Sequence, residues 1–341
     1  MTSLHQLLHD RLFGLVAVLI LAVGITGGVG AASQLGRTFP GFLVLGNQVV
    51  ASIGLSIWPA TAGGDIFQRQ ITALDGEPLG SALELRDRVA ALPPDTAVTY
   101  TLGHGESAET QVLQTRTFGA RDFTLLYGLY LLNGIVLGVA ALVCIARRRR
   151  TPGALAAAPL MLFGALWVLS ALDLYGPYRM FRLHALVEAM LFPAALHMAL
   201  CYPVPLELVK RFRGLIPGLY ATGAVLAAAI QWSLFDGSAY SPLHLIAVSA
   251  FGVALAAVIV SEVDRLRRPL GSEPRARLQA VLIGAGLALT LPIVVTAMES
   301  FTGGRSPQNA AALTAFLFPV AVAYAVAREV EPAVSAHEAS R

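Results

Sequence analysis

Eight apolar windows run through this chain, each long enough to cross about 30 Å of hydrocarbon at about 1.5 Å per helical residue. They fall near residues 12–31, 123–146, 153–173, 183–203, 214–235, 242–262, 277–298 and 308–327. Lipid offers no partner to a backbone N–H or C=O, so a spanning segment satisfies its own polar groups by becoming a helix. The expected fold class is therefore an α-helical polytopic membrane protein of about eight transmembrane helices. Composition agrees: 56% of the 341 residues are hydrophobic, 13% are charged and the mean hydropathy is +0.67.

Basic residues set the expected orientation. With the N-terminus in the cytoplasm, the inside loops carry Arg147, Arg148, Arg149 and Arg150, then Lys210, Arg211 and Arg213, then Arg265, Arg267, Arg268, Arg275 and Arg277. The short outside loops carry only Arg179, Arg182 and Arg305. This asymmetry places both termini in the cytoplasm of a bacterial inner membrane. The net charge of +3 follows from the same loops, which face an anionic leaflet, so the lipid bilayer is the expected partner and nucleic acid is not. The two cysteines, Cys144 and Cys201, fall at cytoplasmic ends of spans and read as reduced thiols.

Four regions follow: an N-terminal anchor at 1–31, a segment at 32–121, a seven-helix bundle at 122–328 and a short cytoplasmic tail at 329–341. The first window ends in "GVGAASQ", small residues of the kind signal peptidase accepts. Its length favours a retained anchor, and the following segment is exported in either case.

Residues 32–121 are the one stretch with room for a water-exposed domain. "QITAL" alternates as a strand, Asp75-Gly76 makes a tight turn, and Ser81 stands three residues before Glu84 as a helix N-cap. Leu83, Leu85, Val89 and Leu92 line one side of that helix, which ends at Pro93-Pro94. "AVTYTL", the turn "GHGES" and "ETQVLQT" then read as a hairpin.

In order and residues this segment resembles a bacterial PDZ domain. Ile71, "LDGEPL" at 74–79, the helix from Ser81 and "DTAVTYTLGHG" at 95–105 match that family's strand, turn, helix and hairpin. The resemblance covers some 60 to 75 residues and implies a small α+β extracytoplasmic domain that binds a peptide or envelope signal. The family's ligand loop has its nearest counterpart in Gly54, Leu55, Ser56 and Ile57, with "GFLV" from Gly41 as a second candidate; Leu85 and Val89 complete the implied groove. Gln70 stands where the family has an acidic residue before the isoleucine strand.

In the membrane region, a PDZ-like neighbour raises the idea of an intramembrane metalloprotease, but no H-E-x-x-H or G-x-S-x-G motif is present. No catalytic residue, metal site or cofactor is expected. The fourth window, "RLHALVEAMLFPAALHMALCYP", places His184 and Glu188 four residues apart on one helix face, with His197 on the other side. Ionisable groups at membrane depth are candidates for function, here as an interhelical pair or a sensing group. Only Glu188 stands well inside a window, so a transporter or channel is the weaker reading. Asn133, Gln231, Ser249, Thr290 and Thr296 are candidates for interhelical hydrogen bonds, and the "GAG" at 284–286 for close packing. Tyr175, Tyr178 and Phe181, beside Arg179 and Arg182, read as an interfacial anchor or as part of a binding surface.

The whole arrangement is similar to the input region of PDZ-containing bacterial sensor histidine kinases of the competence-pheromone type. "LHMALCYPVP" at 196–205 and "FPVAVAYAVAR" at 318–328 look like the corresponding ends of spans in those regions. After Arg328 come thirteen residues, and no P-loop or kinase output segment; His337 lacks the context of a phospho-acceptor. The resemblance implies a non-enzymatic receptor that relays a signal to a separate partner, with a homodimer as a further expectation. An envelope scaffold or assembly factor is the alternative.

Overall fold

The computed structural model describes residues 4–55, 57–103, 108–147, 151–269, 271–305 and 309–329. Ser56, the turn at 104–107, Arg148 to Arg150 and the tail with His337 lie outside the described residues.

Among the described residues seven helices are long and apolar enough to cross a membrane. Helix α1 (Leu4–Ala32) leads into a segment at 33–119, called the cap below, which contains the short helix α2 (Ala82–Ala90). Helix α3 (Ala120–Phe123) then runs through a π turn at Thr124–Gly128 into α4 (Leu129–Arg147), and the three form one span. Helices α5 (Pro152–Ala171) and α6 (Phe181–Cys201) follow, and the short α7 (Glu207–Arg211) joins α6 to α8 (Leu215–Ser233). Helices α9 (Gly237–Leu266) and α10 (Ser272–Thr302) complete the seven.

The eighth window corrects the sequence expectation. Helix α11 (Leu317–Ala327) has 11 residues and follows a 3₁₀ turn at Asn309–Leu313. It rises only about 16 Å. Pro319 is tolerated because it lies in the first turn, where its missing N–H has no intrahelical partner. Conversely, α9 and α10 overrun their windows by several residues, because a helix continues through polar turns that hydropathy discounts.

Helix α6 is the most enclosed span, packed on α5, α8 and α9, whereas α1 and α8 are the least buried. The outward side chains are those lipid would cover: Leu15, Leu21 and Ile25 on α1, Val225 on α8, Val253 on α9 and Ile283 on α10. Gly284 permits the closest approach, since a Cβ there would collide with Ala321 of α11; Gly286 faces open space. Asn133 bonds across to the Ala312 carbonyl, Gln231 to that of Arg182, and Ser249 to Ser300 on α10. Thr290 and Thr296 instead bond back to carbonyls of their own helix. Cys144 and Cys201 are free and buried.

The cap carries two antiparallel sheets. Strands β2 (Ile71–Leu74), β3 (Glu77–Pro78), β4 (Ala97–Leu102) and β5 (Glu109–Gln114) form one in the order β3-β2-β4-β5. Strands β1 (Thr38–Phe39) and β6 (Arg116–Thr117) form the other. Asp75 and Gly76 have φ of 50° and 81°, the paired positive values that a two-residue hairpin turn needs. Ser81 Oγ accepts the Glu84 N–H at 3.1 Å and Glu84 answers by accepting the Gly80 N–H at 2.8 Å, so the expected cap of α2 forms. Its buried face is Ala82, Leu85 and Val89, while Leu83 points outward, one residue off that stripe. These three pack on Val98, Tyr100 and Leu102, alternate residues of β4, and each fully buried aliphatic contributes roughly 2 kcal/mol.

Candidate functional site

The site begins with carboxylates and imidazoles that apolar helices would not otherwise enclose. On α6, His184 and Glu188 share a face, with His184 Nε2 3.8 Å from Glu188 Oε2. The shorter contact of Glu188 comes from another helix: His244 Nδ1, in the second turn of α9, lies 2.8 Å from Glu188 Oε1. On its far side His244 Nε2 faces Glu299 Oε1 of α10 at 3.8 Å. Glu299 is fully buried and Glu188 is 3% exposed. The row Glu188–His244–Glu299 thus crosses three helices, with His184 at one end.

Aromatic rings fix both imidazoles. Trp167 of α5 stacks on His184 at 5.5 Å between centroids, and Tyr240 stacks on His244 at 5.6 Å. His184 Nδ1 lies 3.1 Å from both Ser170 Oγ and the Trp167 carbonyl. This carbonyl and hydroxyl hold the ring in place while its other nitrogen points to Glu188.

Sequence reasoning missed His244 and Glu299. Glu299 lies one residue beyond the 277–298 window, yet α10 continues to Thr302 and carries it inside. His244 sits in the apolar run "SPLHLIAV", where the rule that flagged Glu188 would also have flagged it. Glu262 is likewise fully buried, near the other end of α9 and 3.7 Å from Arg265. Glu188 is therefore not the lone interior carboxylate. His197 stays apart, its Nδ1 3.1 Å from the Tyr220 hydroxyl on α8. Among the described residues no group of three His, Cys, Asp or Glu is placed to hold a metal ion.

A cavity of about 190 Å³ opens beside this row. His184, Glu188 and His244 line it from the bundle, and Ala51, Ser52, Ile53 and Gln68 line it from the cap. A polar path joins the two parts. Gln68 Nε2 donates to Ser52 Oγ at 2.8 Å, and Ser52 Oγ donates to the Gly304 carbonyl at 2.5 Å. The Gly304 N–H caps α10 on the Glu299 carbonyl at 2.8 Å. Further bonds clamp the cap: Asn47 Nδ2 to the Leu234 carbonyl at 2.8 Å, Trp58 Nε1 to Asp122 at 2.9 Å and Ser241 Oγ to the Gln68 carbonyl at 3.4 Å.

The residues expected to form a peptide groove separate into two places. Leu55 and Ile57 pack on the large hydrophobic cluster that the cap and the bundle share, and the Gly54 N–H bonds to Asn309 Oδ1 at 3.3 Å. Leu85 and Val89 belong to the cap's own core. The chain that faces α2 is the second candidate: Phe42, Leu43 and Val44 line a cleft of about 30 Å³ with Leu85, Arg86 and Ala90. Tyr178, from the turn between α5 and α6, also lines this cleft and packs on the cap core. It has φ of 58°, uncommon for an aromatic residue, and its N–H bonds to the Asp173 carbonyl at 3.2 Å. Burial raises the phenol pKa, so Tyr178 fills the cleft as a neutral group.

The aromatics near Arg179 thus pack under the cap. Phe181 lies 6.3 Å from Phe235 and 5.9 Å from Tyr240, centroid to centroid. At that end of the bundle the exposed aromatics are Trp232, Phe235 and Phe301, the type found at a membrane–water boundary. Compared with known proteins, the chain matches no protein-family model, no curated protein and no solved structure.

Proposed function

We propose that this protein is a non-enzymatic membrane receptor in which an exported, PDZ-like cap and a helix bundle act as one signal-transmitting unit. One observation carries the reading: a polar path runs from Gln68 and Ser52 of the cap through Gly304 to Glu299, His244, Glu188 and His184, beside a cavity lined by both parts. An occupant of that cavity touches cap and bundle together, so any difference in its affinity for two arrangements shifts the balance between them. A peptide entering the α2 cleft would first displace Tyr178, which pulls on the turn leading into α6. Either event reaches the same row of residues. The output is a separate membrane or cytoplasmic partner.

The test is a pair of spin labels, one at Val112 on the exposed face of the cap and one at Trp232 on α8, in the full chain in lipid nanodiscs. A receptor gives two distance populations whose ratio changes with ligand or with the Tyr178→Ala substitution. One distance, unchanged throughout, favours the fixed envelope scaffold instead.

A further inference from the structure

We propose that the cavity between cap and bundle is a binding site for a small organic cation, a primary amine in its ammonium form carried on a compact apolar group. The proposal rests on the receptor reading above and names the class of ligand it would recognise.

Size limits the ligand first. A dry cavity of about 150 Å³ accepts a benzene-sized molecule, so one of about 190 Å³ accepts a monocyclic amine or a short branched chain. Chemistry limits it further. Glu188 Oε2 lines the cavity and has no donor in hydrogen-bond geometry among the described residues; its neighbours are the Trp167 side chain and His184 Nε2, the latter at 3.8 Å. Asn133, 1% exposed, uses its Nδ2 on the Leu129 and Ala312 carbonyls, and its Oδ1 has no donor. Gln68 Oε1 is a third unpaired acceptor in the wall, against one unpaired donor, the Trp167 N–H, and buried acceptors left without donors are costly. A ligand that satisfies them brings N–H or O–H groups.

Charge chooses between those two. Among the described residues Glu188 is the one carboxylate in the cavity wall, and its other oxygen is already held by His244. No lysine or arginine lines the cavity. A monocation pairs with the Glu188 carboxylate, whereas an anion would face it in a medium that screens charge poorly. The apolar wall is also suited to a cation: Tyr130, Trp167, Tyr175 and Tyr240 line it, and aromatic rings attract an ammonium group.

Calorimetric titration of the full chain in nanodiscs, with empty nanodiscs subtracted, tests this with three probes of one shape: benzylamine, benzyl alcohol and benzoate. Benzylamine should saturate one site at least tenfold more tightly than benzyl alcohol, and benzoate should not bind. Glu188→Gln should lower benzylamine affinity at least tenfold and leave benzyl alcohol unchanged. Asn133→Ala, which keeps every charge, should lower it several-fold and serves if the Glu188 variant does not fold. Equal binding of amine and alcohol, preference for benzoate, or no saturable binding by any probe overturns the proposal. Amine binding that leaves the label distances fixed spares the site and removes the receptor reading. Distances that shift with Tyr178→Ala, without amine binding, do the reverse.

Discussion

Glu188 and His244, 56 residues apart in sequence, meet at 2.8 Å between α6 and α9, and Glu299 closes on the same imidazole from α10. Three helices are therefore tied by one ring. A charge enclosed at that depth is stable only with its partners, and the cost of separating them exceeds what the set adds to stability.

Removing the ring should be expensive. His244→Leu leaves two buried carboxylates without their bridge and should destabilise the chain by roughly 3–5 kcal/mol. Adding Glu188→Gln and Glu299→Gln should recover part of that loss. Thermal unfolding in one detergent checks both, and equal losses in single and triple variants would show that the row is not a unit.

Tyr178→Ala should open the cleft against α2. A cysteine at Ala90, which lines the cleft, should react with a maleimide at least tenfold faster in that background, and Cys144 and Cys201 should stay silent because both are buried. An unchanged rate would mean that Tyr178 does not guard the cleft.

Trp58→Phe keeps the apolar contacts to Phe39 and Phe118 and removes the N–H that bonds to Asp122 at 2.9 Å. A hydrogen bond to a charged group contributes about 1.5–3 kcal/mol. The loss should appear as faster amide exchange where the cap meets the start of α3, with the bundle interior unchanged.

Gly284→Leu should force α10 and α11 apart, since even a Cβ there collides with Ala321. The same change at Gly286, which faces open space, should leave the melting temperature within a degree or two. Together they separate a packing role from helix propensity.

Legibility in the sequence followed the range of the interaction. Seven of the eight spans, the Asp75-Gly76 turn and the Ser81 cap are local, set by hydropathy, positive φ and a three-residue spacing, and each formed at its place in the chain. The eighth window failed because length in residues is not length in helix: its first half winds as a 3₁₀ turn before Leu317. His184 and Glu188 were legible as an i,i+4 pair. Their partners were not, because His244 and Glu299 are brought to them only by packing of α6, α9 and α10. Tyr178 illustrates the same limit: beside arginines at the end of a window it reads as an interfacial residue, and only the position of the cap makes it a plug. The Gly54–Ile57 stretch was chosen by likeness to a loop, while Leu55 and Ile57 pack into the cluster shared by cap and bundle, apart from the core that holds Leu85 and Val89.

In the proposed receptor the row inside the bundle and the cap are coupled. Hydrogen exchange of the full chain in nanodiscs, wild type against His244→Gln, tests it most directly. The substitution lies in α9, outside the cap, and its side chain is not hydrogen-bonded to the cap. Coupling gives faster exchange in the cap at residues 48–54 and 67–71, through Glu299, Gly304 and Ser52. Changes confined to α6, α9 and α10, with the cap's protection unaltered, would contradict it.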